Sequence, residues 1–144
     1  MSSPRKHSLL VLRLAMGWLL FYAGITKVLN PDWSAAGYLN NAQTFSGFYE
    51  WLASPVLLPF INLINAWGLT ILGAMILLGL FTRTASWLAF VLMLLYYFPV
   101  LNFPYAGEHS YIVDEHIIYA IGFWILASFH AGNRWGIDSL KLKR

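Results

Sequence analysis

Four long apolar segments constrain this chain more than any other feature. They span residues 9–29, 56–80, 85–101 and 111–130, and each approaches or exceeds the about 20 largely apolar residues that a helix needs to cross a bilayer. Backbone amides inside a bilayer must be paired within their own segment, so each segment is expected to be an α-helix. Because only residues 81–84 separate the second segment from the third, these two helices must be antiparallel. The sequence predicts a single domain over residues 1–144, an all-α antiparallel bundle of four transmembrane helices.

The composition agrees with a membrane protein. The chain is 59% hydrophobic and 10% charged, whereas a typical soluble domain is about 25% charged. Cysteine is absent, which excludes disulfides, a thiolate nucleophile and cysteine-ligated metals. No basic face on a soluble fold is predicted, so nucleic acid is not an expected partner. The lipid bilayer is the partner that this composition predicts.

Charged residues are divided between the two ends of the predicted helices. One side holds eight of the nine lysines and arginines, namely Arg5, Lys6, Arg13, Arg83, Arg134, Lys141, Lys143 and Arg144. The other side holds Lys27 and five of the six acids, namely Asp32, Glu50, Glu108, Asp114 and Glu115. Because positive charge accumulates on the cytoplasmic side, we expect a multi-pass protein of the cytoplasmic (cell) membrane with both termini in the cytoplasm.

The sequence also predicts what lies at each end of the first helix. The apolar run after the basic amino terminus is too long for the apolar region of a cleavable signal, so we expect it to remain as a transmembrane helix. In the outer connection that follows, aromatic and leucine side chains recur at helical spacing. This pattern predicts a short amphipathic helix in the membrane interface, and its apolar positions are Phe45, Phe48, Tyr49 and Leu52.

One face of the first helix carries two cations and two glycines. Arg13 lies near the inner surface and Lys27 near the outer one, with Gly17 and Gly24 between them. The glycines would let another helix approach closely. Both cations can extend to the headgroups, but Lys27 lies on the side that is poor in cations. We therefore predict that Lys27 has a carboxylate partner.

Three ionisable residues lie at the outer opening of the fourth helix. We predict that Glu115 pairs with Lys27, with Asp114 as the other possible partner, and that Asp114 has a structural role. Acids in a first helical turn complement the helix dipole, so the cluster could simply join two helices. Alternatively, Glu115, His116 and Tyr119 could form a proton-accepting site beside a pocket.

The remaining polar and aromatic residues leave the identity of a ligand open. Asn65 lies near the outer end of the second helix, where an amide serves either as an interhelical hydrogen-bond partner or in a polar pocket. Aromatic side chains such as Trp67 would suit a flat ring such as a quinone. His116 and His130 lie at two levels of one helix, and the first three predicted spans contain no matching histidines. No haem or metal is predicted.

Several stretches resemble one protein family. Residues 13–17, followed by Gly24 and Lys27, resemble the first-helix pattern of the DoxX/DoxD family. Residues 66–69 and 79–83 resemble its second-helix pattern. Residues 111–119 and 131–138 resemble the DoxD type, the membrane subunit of thiosulfate:quinone oxidoreductase.

This resemblance implies an integral membrane subunit of a quinone-linked oxidoreductase that acts on thiosulfate or a related sulfur compound. A membrane quinone would be the electron acceptor, and a second subunit or soluble redox protein would bind on the outer side. A homo-oligomer is possible. The alternative implied by the family is a non-catalytic membrane anchor or assembly partner for soluble redox proteins.

On the enzymatic interpretation, each candidate residue has a role. Lys27 would attract the anion, while Glu115 and His116 would handle protons, so these three are the candidate catalytic residues. The candidate substrate- and quinone-binding residues are Tyr119, Asn65, Trp67 and Arg13.

Overall fold

The computed structural model describes residues 3–133 and 135–141. In chain order the elements are α1 (Ser3–Val28), α2 (Ala36–Asn40), α3 (Ser46–Leu52), α4 (Leu58–Leu78), α5 (Thr82–Val100), β1 (Leu101–Asn102), β2 (Tyr105–Ala106), α6 (Glu115–Ser128), a 3-10 turn (Ala131–Asn133) and α7 (Asp138–Lys141). The two strands pair antiparallel as a small hairpin. The predicted all-α membrane fold is confirmed, with this hairpin as an addition.

Within the described residues, three helices are long and apolar enough to cross a membrane: α1, α4 and α5. The fourth predicted span is shorter than residues 111–130, because α6 has 14 residues. At 1.5 Å per residue its length is about 21 Å, which is less than the about 30 Å of a bilayer core. Residues 111–113 precede the helix, and Tyr111 instead forms a bridge with Tyr105 of the hairpin.

The other helix boundaries follow from local chemistry. Gly79, at a φ of 68°, ends α4, and the amide of Leu80 donates to the Met75 carbonyl over 2.8 Å. The next helix begins three residues later because the Asp138 carboxylate accepts hydrogen bonds from the amides of Phe81 and Thr82, at 2.8 and 2.9 Å. The connection between α1 and α4 contains two short helices, α2 and α3, whereas the sequence predicts one short interfacial helix there.

The long helices pack in pairs. Most of α1 lies along α4, and α5 lies along α6, with further contacts from α4 to α5 and from α1 to α6. A Cβ atom added to Gly24 would lie 2.3 Å from the Thr70 nitrogen, and one added to Gly73 would lie 2.2 Å from the Phe21 nitrogen. The predicted close approach at Gly24 is confirmed, and α4 is the helix that approaches. The shared core includes the fully buried Leu20, Leu69, Ile76, Phe123 and Leu126.

The helix ends define two ends of the molecule. We call the end with Val28, Leu58, Val100 and Glu115 the upper end, and the opposite one the lower end. At the lower end Arg13 is buried, and its Nη1 and Nη2 atoms donate to the carbonyls of Ala131 and Trp135 at 3.1 and 2.7 Å. The chain after α6 is thereby attached to α1.

Candidate functional site

Two adjoining cavities lie at the upper end, between the long helices and the first connection. The loop-side cavity has a volume of about 250 Å³ and is lined by Lys27, Trp33, Ser34, Ala35, Tyr38, Asn65, Tyr96 and His116. The helix-side cavity has a volume of about 300 Å³, and its polar lining residues are Lys27, Tyr96, Glu115, His116 and Tyr119. Lys27, Tyr96 and His116 line both cavities. The two cavities therefore form one candidate site, to which α1, α4, α5 and α6 each contribute a polar side chain.

His116 is held in place from two sides. Its Nδ1 atom lies 2.6 Å from the Oδ2 atom of Asp114, and its ring meets the ring of Tyr96 edge-on, with 6.2 Å between centroids. Asp114 is only 7% exposed, and its Oδ1 atom accepts a hydrogen bond from the amide of Ile117 at 3.2 Å. Asp114 thus caps α6 and orients the imidazole with the same carboxylate.

The predicted ion pair between Lys27 and Glu115 does not form in the structure. Among the described residues, the Lys27 ammonium has no carboxylate within 4.0 Å. It donates to the Ala23 carbonyl at 2.8 Å and lies 5.4 Å from the centroid of the Trp33 ring, a cation–π distance. The alternative partner, Asp114, already accepts from His116 and its own helix, while Glu115 is exposed. Lys27 and Glu115 share a cavity wall without touching.

Two buried polar atoms at this site lack partners. The Tyr96 Oη and the Asn65 Oδ1 are shielded from solvent, and within the described residues neither makes a hydrogen bond of good geometry, although the Asn65 side chain is close enough to interact with the Tyr96 hydroxyl. A buried polar group without a partner costs about 1–3 kcal/mol. A ligand that both accepts from the phenol and donates to the amide oxygen would remove this cost.

Tyrosines attach the short helices to α5. Tyr38 of α2 donates its hydroxyl hydrogen to the Tyr96 carbonyl, and Tyr49 of α3 donates to the Leu95 carbonyl at 2.7 Å. Burial raises the pKa of the Tyr38 phenol well above its ordinary value, and the neighbouring Tyr49 and Asp114 add to this effect. Burial also raises the pKa of Tyr49. Both phenols therefore remain neutral donors at physiological pH.

An apolar crevice continues from the loop-side cavity. It lies between α3, α4 and α5, has a volume of about 160 Å³, and shares Ala35, Tyr38, Asn65 and Tyr96 with that cavity. Its other lining residues are Leu39, Phe48, Tyr49, Leu52, Ile61, Ile64, Leu92 and Leu95. The site as a whole is therefore amphipathic, with polar groups at one end and an apolar extension at the other.

Five of the seven residues that the sequence indicated for catalysis or binding come together here: Lys27, Asn65, Glu115, His116 and Tyr119. Trp67 does not, because its side chain is 47% exposed on the outside of α4. Arg13 does not either, because it is buried at the lower end, where two backbone carbonyls accept from its guanidinium. Arg13 therefore lies outside the candidate site.

Sequence reasoning did not select Tyr38 or Tyr96 as site residues, and Tyr96 was only one of many aromatic residues that would suit a quinone ring. Tyrosines near helix ends are common at membrane interfaces, so their positions alone carried no signal. The adjacent Tyr96 and Tyr97 could be distinguished only by the packing of α5, which directs the Tyr97 hydroxyl to the Ile112 carbonyl. In the described part of the chain no three His, Asp or Glu residues form a group that could hold a metal ion.

Comparison with known proteins identifies the family. The DoxX family model matches residues 8–101, which is more than half of the chain. No curated protein and no solved structure gives a significant match. The matched region includes α1, α4 and α5 with Lys27, Asn65 and Tyr96, and it ends before α6. The chain belongs to the DoxX family.

Proposed function

We propose that this DoxX protein is the integral membrane subunit of a quinone-linked oxidoreductase that acts on thiosulfate or a related sulfur anion. The observation that carries the proposal is the pair of unpartnered buried atoms, Tyr96 Oη and Asn65 Oδ1, in a cavity that also contains His116. A quinone carbonyl would accept the Tyr96 hydrogen bond. The hydroxyl of the corresponding quinol would donate to Asn65, so both redox states have a partner.

The His116–Asp114 pair supports proton transfer at this site. Quinone reduction consumes two protons, and a histidine whose ring is held in one orientation by a carboxylate is a suitable proton donor. Glu115 lies on the same cavity wall and is exposed, so it can exchange protons between His116 and solvent. Tyr119 would be a further hydrogen-bond donor in the helix-side cavity.

The apolar crevice supports a substrate with a hydrocarbon tail. Its lining is almost entirely aliphatic and aromatic, and it joins the polar cavity at Tyr38 and Tyr96. Membrane quinones combine a polar ring with an apolar tail. In this arrangement the ring would occupy the polar cavity and the tail would extend between α4 and α5 into the bilayer.

Electron balance requires a partner for the sulfur reaction. Coupling two thiosulfate anions through a new S–S bond releases two electrons, and the quinone takes up these electrons with two protons. Lys27 would attract the anion to the upper end. Since this chain has no cysteine, we propose that a second subunit or soluble redox protein on the outer side carries the electrons.

The membrane placement follows from charge. In our proposal α6 is the fourth span of a four-helix bundle, despite its 14 residues, and the lower end with its cations faces the cytoplasm. Both termini are then cytoplasmic, and the candidate site opens near the outer surface of the cytoplasmic membrane.

The proposal is tested on the full chain purified in mild detergent. We expect decylubiquinone and decylubiquinol to bind. Tyr96→Phe should weaken binding of the quinone and Asn65→Leu binding of the quinol, each by about tenfold, the effect of one good hydrogen bond. The control is Tyr22→Phe, because Tyr22 is exposed on α1 outside the site. Thiosulfate-dependent quinone reduction is then measured with and without co-purified proteins. No quinone binding to wild-type protein would contradict the proposal and favour the non-catalytic anchor.

The role of the crevice is tested with quinones that differ in the length of their apolar tails. Leu95→Trp would add volume to the crevice wall, whereas Leu88→Trp changes an exposed residue two turns earlier on the same face of α5. We expect Leu95→Trp to weaken binding of long-tailed quinones and to spare a tail-less ring. Equal effects on both ligands, or equal effects of the two substitutions, would contradict the assignment of the crevice.

A further inference from the structure

A separate cavity lies at the lower end, far from the candidate site. It has a volume of about 350 Å³ and is formed by the first turns of α1 and by the chain after α6. Lys6, His130 and Asn133 contribute polar groups, while Leu10 and Trp135 are among its apolar walls. A second cavity of about 300 Å³ adjoins it, sharing Leu9 and Phe129 and adding Arg5 and Ser8. Together we call these two cavities the lower pocket.

The lower pocket favours an anion. Its described lining includes the cations Lys6 and Arg5 with His130, and no acid of the described chain lines it. The one acid at this end, Asp138, uses both carboxylate oxygens to accept the amides of Phe81 and Thr82. Within residues 3–133 and 135–141, no carboxylate therefore neutralises the cations of the pocket.

The walls of the pocket are fixed by unusual backbone. His130 and Trp135 have φ values of 50° and 60°, a left-handed conformation that costs a non-glycine residue about 1–2 kcal/mol. Both are stabilised by hydrogen bonds: the His130 carbonyl accepts from the amide of Asn133 at 3.0 Å, and the Trp135 carbonyl accepts from Arg13 at 2.7 Å. The buried Arg13 thus holds one wall of the pocket in place.

From this arrangement we infer that the lower pocket binds the phosphate group of an anionic phospholipid. Lys6, Arg5 and the polar groups of His130 and Asn133 would surround the phosphate. Leu9 and Leu10 of α1, together with Phe129, which directly follows α6, would contact the acyl chains. Basic pockets between helices at the cytoplasmic surface are typical sites for anionic lipid headgroups. This site is independent of the quinone proposal.

The experiment is native mass spectrometry of the full chain in detergent, titrated with dioctanoyl phosphatidylglycerol or with dioctanoyl phosphatidylcholine. We expect the anionic lipid to bind more tightly, and Lys6→Gln to weaken its binding about fivefold, the effect of one cation near a lipid phosphate. Lys6→Gln combined with His130→Gln should weaken it further. The control is Arg83→Gln, because Arg83 is an exposed cation at the same end but outside the pocket.

Three outcomes would overturn the inference. Equal binding of the two lipids would show that charge does not select the ligand. An effect of Arg83→Gln as large as that of Lys6→Gln would show general attraction to the basic surface. Displacement of phosphatidylglycerol by millimolar inorganic phosphate would indicate a site for a free anion, in which the acyl chains make no contribution.

Discussion

The Nδ1 atom of His116 lies 2.6 Å from the Oδ2 atom of Asp114, and the same carboxylate begins the helix that carries His116. The start of α6 and the orientation of the imidazole are therefore coupled. Asp114, for which the sequence predicts a structural role, thus also positions His116, a candidate proton donor.

Substitutions at Asp114 separate these two roles. Asparagine retains an oxygen that caps the helix, whereas alanine does not, so Asp114→Ala should lower the free energy of unfolding by about 1 kcal/mol and Asp114→Asn by much less. Both should slow quinone reduction at least tenfold, since both remove the carboxylate that lies beside the His116 Nδ1 atom. Thermal unfolding in detergent and turnover are the measurements. Equal destabilisation by the two variants would contradict the capping role.

The contact between α1 and α4 depends on glycine. Gly24→Leu should prevent close packing, because a Cβ atom at this position already lies 2.3 Å from the Thr70 nitrogen. Gly68→Ala is the control, since no atom lies within 4 Å of a Cβ atom there, and alanine in a helix stabilises it by about 0.5–1 kcal/mol relative to glycine. We expect loss of the monodisperse peak in size-exclusion chromatography for Gly24→Leu alone. A well-folded Gly24→Leu protein would refute the packing.

Arg13 should stabilise the chain after α6. Arg13→Gln removes charge-assisted bonds to the carbonyls of Ala131 and Trp135, each worth about 1.5–3 kcal/mol. Hydrogen exchange of residues 129–133 and 135–141 should become faster, while substitution of the exposed Arg83 by glutamine leaves it unchanged. If these amides exchange no faster in Arg13→Gln than in the wild-type protein, the attachment of this segment does not depend on the guanidinium.

Lys27 should be coupled to Trp33 and not to Glu115. A double-mutant cycle of Lys27→Met with Trp33→Leu should give a coupling energy of about 0.5–1 kcal/mol, typical of a cation–π contact. The cycle of Lys27→Met with Glu115→Gln should give a value near zero, because these residues form no ion pair. A larger coupling energy for Lys27 with Glu115 than for Lys27 with Trp33, measured by thermal unfolding, would support the ion pair that the sequence predicts.

Tyr38 should make stability depend on alkaline pH. Its folded-state pKa is raised above the ordinary value of 10.0 by burial, so ionisation is easier in the unfolded chain. The stabilising contribution is complete below pH 10 and decreases as the pH rises above it. Tyr38→Phe should therefore flatten the loss of unfolding free energy above pH 10. Identical pH profiles for the two proteins would contradict this effect.

Most of the fold could be predicted from hydrophobic segment length, because a bilayer requires each spanning backbone to pair within itself. The spans of α1, α4 and α5 follow from this rule, and the glycines of α1 indicated a close helix contact. The start of α6 was harder to predict. Apolar residues continue back to Tyr111, but Tyr111 pairs with Tyr105, and the helix begins at Glu115, where the Asp114 carboxylate caps it.

The sequence by itself determined that this is a membrane protein, because the length of its apolar segments specifies that class. It also determined which end of the helices carries the candidate site, because the order of the helices places Lys27, Asn65 and His116 at one end. Only the tertiary structure decided which side chains at that end contact one another. Which side chains meet depends on helix rotation and on backbone hydrogen bonds from distant segments, so Arg13 binds two carbonyls at the lower end and Asp114 is a partner of His116. Tyr96 entered the site for the same reason, because the packing of α5 against α6 directs its ring, and not that of Tyr97, toward His116.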